Sequence, residues 1–123
     1  MKVIAALILV AALSLGAQAR ADSADGADAF HRGDYETALQ EWRPLAEQGD
    51  ADTQISLSGM YRLGLGVPVD DKRSHMWANI SAVNESKIGA KYRDKIARRM
   101  TLEDISQAEE MAWQCVNSNY TYC

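Results

Sequence analysis

Among its 123 residues the chain has only two histidines and two cysteines, in no spacing typical of a metal or redox site. His31 and His75 lie outside any H-E-x-x-H pattern, which removes the zinc-protease arrangement. No G-x-S-x-G elbow, phosphate loop or S-x-x-K motif occurs, so the acyl-transfer and nucleotide-cradling classes lose support as well. Cationic excess is missing too. Thirteen Lys and Arg stand against seventeen Asp and Glu, which argues against nucleic acid as a partner, because phosphate binding depends on a cationic surface. Strand-like alternation and low-complexity linkers are absent, so neither a sheet nor a second domain is expected. The expectation is a protein that is not an enzyme, with no metal and no cofactor.

The single long apolar run, Val3 to Leu15, is also short. Its thirteen residues fall below the ~20 that a bilayer-spanning helix needs. Lys2 precedes it and Ala17-Gln18-Ala19 follows, the layout of a secretory signal peptide over residues 1–21, cut after Ala19 or Ala21. No Cys follows the run to suggest a lipid anchor. The mature chain is then residues 22–123, one small domain without a transmembrane anchor, periplasmic or secreted. It carries eleven basic and seventeen acidic residues, a net charge of −6. The distribution is uneven: residues 86–100 hold six basic side chains and only Asp94 as an acid.

Cys115 and Cys123 both lie in the exported part, where an even count suggests a disulfide. Such a bond would tie the last helix to the C-terminal tail. A catalytic redox pair would more often show C-x-x-C spacing at a helix start.

Helical periodicity runs almost throughout, and six helices are expected. Ala27, Ala29 and Phe30 mark a first helix stopping at Gly33, with Asp34 capping the second. Tyr35, Ala38, Leu39, Trp42, Leu45 and Ala46 form one apolar stripe ending near Gly49. Asp50 opens a third helix reaching Leu63, whose small Ser58 and Gly59 would let a neighbour approach closely. Asp70 opens a fourth, with Ser74, Trp77, Ile80, Ser81 and Asn84 on one side. A fifth, from Ser86 to Met100, places Ile88, Tyr92, Ile96 and Met100 on an inward face. Thr101 opens the sixth in a near capping box with Asp104, followed by a stripe of Ile105, Ala108, Met111, Ala112 and Cys115.

Asp34, Ala38, Leu45 and Ala46 recur 36 residues later as Asp70, Ser74, Ser81 and Ala82, a period typical of helical solenoids. The stretch Leu57-x3-Tyr61-x2-Gly64-x-Gly66-Val67-x2-Asp70, with Trp77 and Ala82 beyond it, resembles the Sel-one-like repeat (SLR), a branch of the tetratricopeptide-like α/α solenoids. The chain departs from that pattern at Thr53, Ser58, Ser74, Ser81 and Glu85, mostly small for small. The resemblance implies an all-α short solenoid of stacked antiparallel helix pairs, with residues 86–123 as a helical cap. It also implies an exported adaptor or scaffold that binds a protein or peptide, as in short secreted bacterial members. Two alternatives accompany it. One is β-lactam binding or weak hydrolysis, although members associated with it carry a cysteine pair in each repeat. The other is a chaperone-like envelope protein.

Lys87, Lys91, Lys95 and Arg98 form a basic stripe along the fifth helix. Pairing with Glu103, Glu109 or Glu110 of the sixth helix, or plain solvation, is the first reading. A docking surface for an acidic partner or an anionic envelope lipid is the second.

Overall fold

The computed structural model describes residues 23–123; the expected signal peptide lies outside them. The described chain is all-α: α1 (residues 23–31), α2 (Tyr35–Glu47), α3 (Ala51–Leu63), α4 (Asp71–Val83), α5 (Lys87–Ala97) and α6 (Leu102–Asn117). The boundaries follow local chemistry. Asp34, Asp50, Asp70, Ser86 and Thr101 each precede a helix, and each side chain accepts a hydrogen bond from the backbone N–H three residues on. The Asp34 carboxyl is held below its ordinary pKa by its hydrogen bonds with Thr37. Of the expected capping box at Thr101 only one half forms. Asp104 donates its N–H to Thr101 Oγ1 at 3.1 Å, while its carboxylate turns to Lys72 Nζ at 3.5 Å.

The caps display the repeat. Asp34 and Asp70 stand 36 residues apart, and so do Asp50 and Ser86. The period fails at α6, which opens at Thr101, because residues 98–101 replace the longer connection 64–70. That long turn is built on Gly64 and Gly66, both left-handed at φ 69° and 73°. Gly66 also abuts the Tyr35 backbone, where an added Cβ would lie 3.0 Å from the carbonyl.

The helices pack as successive pairs in a short repeat-like stack. α2 lies on α3, α3 on α4, and α4 on both α5 and α6. The most enclosed element is therefore α4, with Ser74, His75, Met76, Trp77, Ala78, Ile80 and Ser81 all buried. Trp42 and Trp77 sit in one core with Leu57, Met60 and Ile80. The buried serines of α3 and α4 do more than save space. Ser58 Oγ donates to the Ser74 carbonyl at 2.7 Å and Ser74 Oγ to the Ser58 carbonyl at 2.8 Å, clasping α3 to α4. Ser81 Oγ donates to the Ala51 carbonyl at 2.9 Å. Buried hydroxyls are thus satisfied where an alanine would bury none.

Two expectations about helix faces are corrected. Gly59 touches no neighbouring helix: an added Cβ would meet nothing within 4 Å. Of the expected pair, Ser58 alone makes the close approach, against Ser74, and a second one occurs at Gly89, where a Cβ would lie 2.8 Å from Ser81 Cβ and 2.9 Å from the Ala82 nitrogen. Seating Gly89 against α4 turns α5 so that Ile96 is buried while Ile88 (56 % exposed) and Tyr92 (37 %) face outward. Residues 98–100 fall outside α5, which is shorter than expected.

Cys115 and Cys123 are disulfide-bonded. The tail they close turns back through Asn119 and Tyr120, both at positive φ, and Tyr120 N–H donates to the Cys115 carbonyl at 2.8 Å. The Tyr120 hydroxyl accepts from Asn84 Nδ2 at 3.3 Å, and the same Asn84 amide donates to Gln54 Oε1 at 3.1 Å. Gln54, fully buried, donates onward to the Ala46 carbonyl. The tail is therefore joined to the ends of α2, α3 and α4 by one polar chain.

Candidate binding groove

One face of α3 carries Ile55, Gly59 and Leu63 in a row at four-residue spacing, opposite the side that buries Leu57 and Ser58. The row borders an open depression of about 310 Å³. Phe30 of α1, Trp42 of α2 and Tyr92 of α5 also line it. The aromatic wall is held in place. Phe30 stacks on Trp42 with ring centroids 5.6 Å apart and meets Tyr35 edge-on at 5.2 Å. Trp42 Nε1 donates to the Ser23 carbonyl at 3.2 Å, and α1 presses onto the indole at Gly26, where any side chain would overlap the ring.

Among the described residues the groove's lining carries charge of one sign. No carboxylate lines it; its charged lining residue is Arg62, which has no ion-pair partner among the described residues. On α5 beside Tyr92, the stripe Lys87, Lys91, Lys95 and Arg98 is exposed throughout. None of these four has a carboxylate within 4 Å among the described residues, so the expected pairing with Glu103, Glu109 and Glu110 does not form. Glu103 and Glu110 instead accept hydrogen bonds from Gln107 and Gln114 on their own helix. The neighbouring cations are engaged, Arg93 of α5 with Asp94 and Asn79, and Arg99 just beyond α5 with Asp71.

The signature residues stand where packing uses them. Leu57, Tyr61 and Trp77 are buried, Val67 and Ala82 half-buried, and Gly64, Gly66 and Asp70 shape the turn between α3 and α4. Tyr61 is tied on both sides: its hydroxyl accepts from Arg43 Nη2 at 3.1 Å and its carbonyl from Asp70 N–H at 2.9 Å. The Asp70–Asp71 pair is taken up by the helix cap and by ion pairs to Arg73 and Arg99. No group of three or more His, Cys, Asp or Glu side chains that could hold a metal ion occurs among the described residues.

Two features escape the sequence reading. Trp113, outside the inward stripe of α6, is 63 % exposed beside Val83 and Val116, above a second hollow of about 270 Å³. His75 is 2 % exposed, and its Nδ1 has no hydrogen-bond partner among the described residues. Burial pushes its pKa below the ordinary value, with Glu109 opposing the shift. The folded state then binds fewer protons than the unfolded one below about pH 6.5. Stability from this site is accordingly full above that pH and lost as the pH falls. Thermal melts from pH 7.5 to 5 should show acid destabilisation that is smaller in His75→Gln; equal slopes would contradict the assignment.

Compared with protein-family models, curated proteins and solved structures, the chain matches none.

Proposed function

We propose that the protein is an exported, non-enzymatic interaction module of Sel-one-like type that holds a protein or peptide partner in the groove between α1, α3 and α5. The observation that carries this is Gly59. Glycine in a helix interior costs roughly 1 kcal/mol relative to alanine, and here no neighbouring atom requires its smallness. What the missing side chain does leave is room in the lining of an apolar, aromatic-walled depression. The residues beneath it, Met60 and Trp42, are fixed in the core, so the depression is preformed. Export is supported by the signal-like start of the chain and by the Cys115–Cys123 bond, which persists in oxidising compartments.

A photo-crosslinking amino acid at Ile55, on the groove, should capture one adduct of defined mass in the exporting cell. The same group at Val83, by the second hollow, should capture none. A ladder of many masses from both positions would favour the chaperone-like alternative, and an adduct from Val83 alone would move the site to α6.

A further inference from the structure

We infer that the occupant of this groove is an acidic protein segment carrying one bulky apolar side chain, the inference resting on the groove being a binding site. The chain is acidic overall, with seventeen carboxylates against thirteen basic side chains. Among the described residues, acids nevertheless stay out of the groove lining, and Arg62 within it has no ion-pair partner. The flanking helix α5 gives its exposed face to Lys87, Lys91 and Lys95, and Arg98 caps its end. Arg62 in an acid-free lining, with a row of cations on the helix that supplies Tyr92, gives this side of an acidic protein a field that favours anions.

The shape sets the second requirement. Leu63 (58 % exposed) and Ile55 border the hollow, Trp42 and Phe30 close it, and a volume of about 310 Å³ accepts a leucine- or phenylalanine-sized group with part of its backbone. Tyr92 is the α5 residue in the lining, and Lys91 and Lys95 lie on the exposed side of the same helix within one turn of it, so a segment that extends from the groove across α5 would meet their ammonium groups. Cations in the rim select the partner by sign and raise its encounter rate, while the apolar anchor supplies the residence time.

The test uses the disulfide-bonded protein and fluorescein-labelled decapeptides, read by anisotropy. One peptide is rich in Asp and Glu around a central Phe, one has the same acids with Ser at the centre, and one has the same Phe among lysines. The acidic Phe peptide should bind at least roughly tenfold more tightly than either control and weaken roughly tenfold between about 50 and 500 mM salt. Lys91→Glu with Lys95→Glu should weaken it by a further factor of about ten. Equal binding of the lysine peptide, or indifference to salt and to the reversals, would overturn the acidic assignment. Binding that Gly59→Leu nonetheless blocks would leave the groove reading standing, and acidic-peptide binding untouched by Gly59→Leu would fell that reading. Two outcomes replace the proposed occupant: capture of phosphatidylglycerol vesicles without peptide binding, and concentration-dependent self-association blocked by Gly59→Leu.

Discussion

Trp77→Ala is expected to lower the unfolding free energy by about 3–5 kcal/mol, which for a domain this small approaches its whole stability. Trp77 is 3 % exposed on α4, the helix that packs against α3, α5 and α6 at once. Its neighbours in the core include Leu57, Met60 and Ile80, and α4 cannot shift to fill the void without parting from one of its three partners. The cavity therefore stays open, and the cavity cost adds to the lost burial. Trp113→Ala is the internal control. That indole is 63 % exposed, so its loss should change stability by no more than about 0.5 kcal/mol. Urea denaturation followed by far-UV circular dichroism measures both. Comparable losses at the two positions would mean that α4 is not the centre of the fold.

Breaking the Cys115–Cys123 bond by Cys115→Ser with Cys123→Ser should cost about 2.5 kcal/mol, the chain-entropy value for so short a loop. The structure adds a location to that number. The bond holds Tyr120 where its hydroxyl meets Asn84, and Asn84 in turn holds the buried Gln54 amide. Hydrogen exchange should therefore quicken first over residues 118–123 and at the ends of α3 and α4, with α5 spared. Two free thiols on titration of the native protein would contradict the bond itself, and uniform exchange along the chain would contradict its role as a local tie.

How much of this was legible in the sequence depends on whether the cause was local. Asp34, Asp50, Asp70, Ser86 and Thr101 announce their helices because a cap bonds to an N–H three residues away. The turn at Gly64 and Gly66 is legible for the same reason. The rotation of α5 is not, because a close helix approach selects the smallest side chain rather than the most apolar. Gly89 against Ser81 decides it, and Ile88 and Tyr92 turn outward despite their spacing. The serine clasp between Ser58 and Ser74 is likewise tertiary. The groove left a trace in the spacing of Ile55, Gly59 and Leu63, off the buried stripe of α3, but only the positions of α1 and α5 make that row a wall.

The central claim is that the space beside Gly59 is kept open for a partner. Gly59→Leu, measured for both unfolding free energy and affinity for the acidic Phe peptide, tests it most directly. Leucine restores helix propensity, and a Cβ at this position has no neighbour within 4 Å among the described residues, so stability should rise by about 0.5–1 kcal/mol while the longer side chain fills the groove and binding is lost. A fall in stability together with unchanged affinity would show that the glycine serves packing and that the groove is not the site.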